Sequence, residues 1–299
     1  MMSPGTQSDL APASTLGVGI DSLCAAVRAL SLATRYDEAL ELAAAAVAES
    51  ADADALSAAD NVRLALAAAD AAERRDYVRG GDPTAAAWFD ELAVRARALD
   101  PHSELVWDTE LLAVRRRYAG QLRRPGGSPW FGPDDRDAAV VDALASDAAE
   151  LVESAPDPAR RGWARMCLGW IADNIRGDRD SAPPHYRDAL DAGRQFNDDL
   201  LIFEAQRHLG DHAHDDGHAA EAYVRWSEAT EAAARAGHLA GVLAQQLLLA
   251  VLAQDAEDVA GAHLLAGEVR RWSEAVGATT VAGQSGRFLN GIDPTRPPS

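Results

Sequence analysis

Leu209-Gly210-Asp211-His212-Ala213-His214-Asp215-Asp216-Gly217-His218-Ala219-Ala220-Glu221-Ala222-Tyr223-Val224-Arg225-Trp226-Ser227-Glu228-Ala229 is the stretch on which the fold turns. Gly217 follows Gly210 by seven residues and Ala222 comes five later. Trp226 and Ala229 lie four and seven beyond Ala222. This spacing fits two antiparallel helices joined by a short turn. Small residues at Gly210, Ala222 and Ala229 let the two helices approach closely, and Trp226 fills the space toward the next pair. Gly217 ends the first helix, because a left-handed cap favours a residue without Cβ.

Working outward, the neighbouring segments fit the same frame. Leu168-Gly169, Gly177, Ala182, Tyr186 and Ala189 fit it with one inserted residue. Leu249-Ala250, Ala253 and Ala262 repeat it 40 residues after Gly210. Tyr36-Asp37-Glu38-Ala39 with Ala46, then Gly80, Ala85 and Phe89, supply further second helices. Leu112-Ala113 and Gly120 supply another first helix, whose partner follows a longer loop at about residues 134–154. Breakers punctuate the chain at helical intervals: Gly80-Gly81-Asp82-Pro83, Asp100-Pro101, Pro125-Gly126-Gly127, Pro156, Pro183-Pro184, Gly237 and Gly277. Ala, Leu, Arg and Glu, all good helix formers, dominate between them. Apolar residues recur at three and four, and period-two alternation is scarce.

The pattern resembles the tetratricopeptide repeat, a helix pair with Leu-Gly on its first helix and small and aromatic residues on its second. The resemblance implies an all-α fold: a right-handed α-solenoid of about six antiparallel helix pairs over residues 18–277. The spacing, nearer 40 than the family's roughly 34 residues, implies longer helices. Residues 1–17 are expected to be a flexible segment, about 121–134 a loop insertion carrying Trp130 and Phe131, and 278–299 a tail.

Composition narrows the function. The chain has 299 residues, 28 Lys+Arg against 47 Asp+Glu, and a net charge of −19. Such an acidic chain is a poor partner for phosphate backbones, so no direct nucleic-acid contact is expected. Two cysteines, Cys24 and Cys167, cannot build a disulfide framework or a Cys-rich zinc module. No apolar run approaches the ~18 residues that a membrane span needs. The start, MMSPGTQSDLAPAST, lacks the basic and apolar regions of a signal peptide, which points to a cytoplasmic protein. No phosphate-binding glycine loop, nucleophile elbow or dinucleotide fingerprint is present, and no cofactor is expected.

Three clusters could carry chemistry. Four of the eight histidines fall in His208–His218, and His208, His212, His214 and Asp215 offer imidazole and carboxylate ligands suited to a first-row metal ion. His214-Asp215 resembles the dipeptide of the HD phosphohydrolases, which implies a metal-dependent hydrolase as one alternative. The simpler reading is a polar wall at a helix C-terminus, where imidazole suits the dipole. Asn197-Asp198-Asp199 followed by Glu204 resembles the metal triad of terpene cyclases. At 6% aromatic the chain is a poor source of the cavity those enzymes need, and a helix N-cap explains the acids better.

The third cluster follows from the family resemblance. The inner faces of the first helices in such repeats line a groove. Counting from Gly210, those positions are Glu204, Arg207, His208, Asp211, His214 and Asp215. Counting from Gly169 adds Trp163, Met166, Cys167, Trp170, Asp173 and Asn174. Counting from Ala113 adds Trp107, Glu110, Leu111, Val114, Arg117 and Tyr118. Aromatic anchors ringed by polar groups suit recognition. The expected partner-binding set is Trp107, Glu110, Arg117, Tyr118, Trp163, Trp170, Asp173, Asn174, Glu204, Arg207, His208, Asp211, His214 and Asp215. The expected function is a non-enzymatic scaffold or regulatory adaptor that binds a protein or peptide with basic or aromatic groups. A ligand sensor acting with a separate DNA-binding or effector partner is the other alternative. In the last pair Leu247, Leu248 and Val251 would also face the groove. Either a C-terminal segment or another subunit covers them, or the register slips.

Overall fold

A computed structural model describes residues 19–53, 56–79, 85–122 and 131–295. The described residues form thirteen α-helices packed in neighbouring pairs, with no strand. In order they are α1 (Ile20–Leu32), α2 (Tyr36–Ala53), α3 (Ala58–Arg79), α4 (Ala85–Ala96), α5 (Glu104–Gln121), α6 (Ala138–Ser154), α7 (Pro158–Trp170), α8 (Ala182–Phe196), α9 (Asp199–Asp215), α10 (Ala219–Arg235), α11 (Leu239–Asp255), α12 (Val259–Ala275) and α13 (Thr279–Leu289). A π-helical stretch, Ile171–Arg176, continues α7. No helix among the described residues is long and apolar enough to cross a membrane. The expected flexible segment 1–17 and Trp130 lie outside the described residues; Phe131 is exposed.

The C-terminal half is a helical repeat of fixed length. Helices α9 to α12 are each 17 residues, and α9 to α13 start at residues 199, 219, 239, 259 and 279. Two such steps give the 40-residue spacing seen in the sequence. Each connection has a left-handed residue: Gly217 (φ 79°), Gly237 (φ 72°), Glu257 (φ 66°) and Gly277 (φ 73°). The next N–H then reaches back to the last helical turn, as in His218 to Ala213 O and His238 to Ala233 O, both 2.8 Å. This Schellman closure satisfies carbonyls that a helix end leaves free.

Glycine sets the approach of paired helices. A Cβ on Gly210 would fall within 3.0 Å of the Trp226 ring, and one on Gly169 within 3.0 Å of the Tyr186 ring. Trp226 and Tyr186 are both fully buried. In the next pair Ala250 and Ala266 take the corresponding places, so a smaller knob meets a smaller hole. The residue inserted between Gly169 and Gly177 is absorbed by the π-helical stretch rather than by a longer loop. An i→i+5 turn adds a residue without ending the helix.

α3 is the centre of the N-terminal half. Val62, Ala65, Ala69 and Ala72 pack with Phe89, Leu92 and Leu112 of α4 and α5. Leu64, Ala68 and Ala71 pack with Val27, Ala39 and Ala43 of α1 and α2. A third, polar stripe remains: Asp70, Glu73, Arg74 and Tyr77, at 0, +3, +4 and +7 along one helix face.

Helices α2 and α3 meet the last helices, α11 to α13. Tyr36 and Val78 share one core with Leu243, Leu247 and Val251 of α11, Val269 of α12, and Val281 and Phe288 of α13. The Thr279 hydroxyl donates to Arg79 O (2.9 Å) and that of Thr280 to Val78 O (2.8 Å). The Thr34 hydroxyl donates to Val276 O (3.0 Å). One expectation is thereby corrected, and one of the alternatives left open for Leu247 and Val251, a C-terminal segment, is met. Residues 278–299 are not simply a tail, because Val281 and Phe288 give α13 an apolar face with a core to enter. Leu247 and Val251 are buried in one core with residues of α12 and the C-terminal α13, together with Tyr36 and Val78.

Candidate functional site

Most of the residues marked for the groove fall into three groups. The first is taken up by packing. Trp107 is buried, and its indole N–H donates to Leu151 O of α6 (3.2 Å). The half-buried Trp163 donates from Nε1 to Asp198 Oδ2 (2.7 Å). Asp198 also caps α9 by accepting from Leu200 N and Leu201 N, which is the N-cap role expected for it. Trp170 is buried, so the exposed aromatic strip expected of these three tryptophans is not present. An indole gains more from repeat-to-repeat packing than from a wet wall.

The second group forms a chain of rings and polar groups around the π-helical stretch. Tyr118 stacks on Trp170, centroids 5.4 Å apart, and Asn174 Nδ2 donates to the Tyr118 hydroxyl (2.7 Å). Trp170 Nε1 donates to His208 Nε2 (2.9 Å). His208 stacks on Tyr186 at 4.9 Å. The Tyr186 hydroxyl donates to Asp173 Oδ2 (3.2 Å), which also pairs with His212 Nε2 (3.0 Å). Arg179 Nη2 lies 3.3 Å from His212 Nδ1 and bonds Asp215 (2.8 Å). The extra residue of the π turn sits within the stretch that carries Asp173 and Asn174 into this chain.

Donor chemistry fixes the tautomers. An indole only donates, so His208 Nε2 accepts and its proton sits on Nδ1, 3.9 Å from Asp211 Oδ2. Burial, with Arg207 nearby, holds the His208 pKa well below its ordinary 6.5. A guanidinium likewise only donates, so His212 Nδ1 accepts from Arg179 and Nε2–H donates to Asp173. His214 Nε2 pairs with Asp255 (2.9 Å), not with the other histidines. Both nitrogens of His212 and Nε2 of His208 are thus engaged. Among the described residues no group of three or more His, Cys, Asp and Glu side chains is placed to hold a metal ion. The alternative set His208, His212, His214 and Asp215 does not converge, because successive imidazoles are drawn to different helices.

The third group is a set of charged residues on α3, α5 and α9. Asp70 bonds both Arg74 (2.7 Å) and Arg115 (3.2 Å). Burial opposes its ionisation, yet these two guanidinium groups hold its carboxyl well below the usual range. Arg115 also lies over the Trp163 ring at 5.8 Å. Glu204 is within electrostatic reach of Arg207, Arg74 and Arg115. Arg207 is within reach of Asp211, Tyr77, Glu204 and Tyr118. Arg74 and Tyr77 of the α3 stripe are therefore within electrostatic reach of Glu204, Arg207 and Tyr118. Burial raises the pKa of Glu204, Asp211 and Tyr118. Glu73 on the same stripe is buried, its Oε2 has no hydrogen-bond partner, and burial pushes its pKa up to about 7.

Of the marked residues on α5, Glu110 and Arg117 are the exposed ones, and Arg117 pairs with Asp147 of α6 at the surface. The residues that the family frame did not supply are those of α3: Asp70, Glu73, Arg74 and Tyr77. Their 0, +3, +4, +7 spacing of polar groups on an otherwise Ala-rich helix was the available signal.

No protein-family model matches the chain, and no curated protein matches it.

Proposed function

We propose that this chain is a non-enzymatic binding scaffold, a right-handed tetratricopeptide-like solenoid of about six helix pairs, whose inner face takes a helix of a partner protein. One observation carries the reading. Tyr118, Glu204 and Arg207 lie within electrostatic reach of Arg74 and Tyr77 on the chain's own α3. The groups that α3 brings there are basic, Arg74, and aromatic, Tyr77, the two kinds expected of the ligand. A helix laid in a groove with anchors at i, i+3, i+4 and i+7 is a standard mode of peptide recognition. Mixed charge on both sides gives register and specificity more than affinity. The face is thus suited to exchange between an internal and an external helix, as a regulatory adaptor requires.

A labelled synthetic peptide of the sequence Ala58–Arg79, titrated into the full-length chain and followed by fluorescence anisotropy, tests this. Saturable binding is expected, weakened at least tenfold by Arg207→Glu or Glu204→Arg. Absence of binding to every form of the chain at millimolar peptide would contradict the reading.

A further inference from the structure

We propose that the cleft between α1 and the α8–α9 turn is a binding site for a small zwitterion, an amino acid with a large apolar side chain. The site shares no residue with the partner-helix face, so its test is independent of the function given above.

The cleft has a volume of about 380 Å³, within the range of small-molecule sites. Arg28 and Leu32, one helical turn apart, form its α1 side. Phe196, Asn197, Asp199 and Leu200 form the other side. Asn197 ends α8 with a left-handed backbone (φ 56°), which turns the chain directly into α9 and sets Phe196 and Leu200 on one cleft. Leu32 and Leu200 are buried, and Phe196 is 42% exposed. A lone exposed ring needs no explanation. This ring and the two leucines instead line a cleft that also holds an unpaired charge.

That charge is Arg28, which is exposed and has no hydrogen bond or ion pair among the described residues. Asp70, whose ionisation Arg28 assists, bonds Arg74 and Arg115 instead. A guanidinium presents paired donors that match a carboxylate. Asp199 accepts from Arg235 through Oδ1 (2.8 Å), and its Oδ2 has no hydrogen bond among the described residues. Asp198 is already spent: Oδ1 accepts from Leu200 N and Leu201 N, and Oδ2 from Trp163. Those bonds take up N–H groups at the start of α9, which leaves Arg28 to anchor a carboxylate. A simple anion would be opposed by Asp198 and Asp199, and a simple cation by Arg28. A zwitterion is opposed by neither. Its carboxylate meets Arg28, its ammonium meets Asp199, and its side chain meets Phe196, Leu32 and Leu200.

The experiment is isothermal titration calorimetry of the full-length chain with L-phenylalanine and L-leucine, set against 3-phenylpropionate and phenethylamine, which each lack one of the two charges. Saturable binding of at least one amino acid is expected, roughly tenfold tighter than that of either single-charge analogue. Arg28→Gln and Phe196→Ala should each weaken it by roughly tenfold. Both side chains are exposed, so both variants should fold, checked by an unchanged circular dichroism spectrum. No binding of either amino acid at millimolar concentration would overturn the site. Binding unchanged in both variants would also overturn it, by placing the ligand elsewhere on the chain. Binding of 3-phenylpropionate or phenethylamine as tight as that of the amino acids would overturn the zwitterion as its ligand.

Discussion

Gly169 and Gly210 occupy the same place in successive helix pairs, and each is held there by one ring. Any Cβ would collide with Tyr186 or Trp226, and neither ring has room to retreat, since both are fully buried. Gly210→Ala is expected to cost about 1–3 kcal/mol, read as a lower urea midpoint with unchanged slope. The leucine-glycine spacing made this legible from sequence. The titrations did not announce themselves, because burial decides them. His208 excludes, when folded, a proton that the unfolded chain binds below pH 6.5. Its contribution is present above pH 6.5 and is lost as pH falls toward its depressed folded value. Glu73 acts in the opposite sense. Its pKa is raised from 4.5 to about 7, so its contribution is present below pH 4.5 and is lost as pH rises through 7. Glu73→Gln should stabilise the chain at pH 8, by on the order of 1–3 kcal/mol, and have little effect at pH 4. Urea titrations at the two pH values check both size and sign.

At the scale of elements, the fixed 20-residue step between helix starts explains why the glycines at 217, 237 and 277 were readable as helix ends. Glu257 holds the same place with a left-handed backbone at φ 66° and no glycine to mark it. Glu257→Gly is expected to add about 0.5–1 kcal/mol, measured as a higher midpoint temperature, because a Cβ in that region is strained. The π-helical stretch was half legible. The extra residue between Gly169 and Gly177 shows in the spacing, but nothing local says whether it loops out or widens the helix. The choice is tertiary: the widened turn carries Asp173 and Asn174, which bond His212 and Tyr118. The tryptophans were placed by the family frame on a wet wall. Trp107, Trp163 and Trp170 instead spend their indole N–H groups on α6, Asp198 and His208.

At the scale of the whole molecule, the sequence marked Leu247 and Val251 as apolar residues in need of cover and offered a C-terminal segment as one cover, which α13 supplies. What it did not show is that Tyr36 and Val78 join the same core: the Thr280–Val78 bond spans 202 residues, and no local pattern encodes so distant a pairing. Phe288, fully buried in that junction, is its largest apolar contribution from α13. Phe288→Ala is expected to cost about 3–5 kcal/mol and to lower hydrogen-exchange protection in α2 and α3 as well as in α13. The central claim is that α3 packs on α5 and turns its polar stripe toward α9. The most direct measurement replaces Tyr77, which is 53% exposed, with p-benzoylphenylalanine and maps the photo-crosslink by mass spectrometry. The account predicts an intramolecular crosslink to α9 near Arg207 or to α5 near Tyr118. Crosslinks formed only between molecules, or to neither helix, would contradict it.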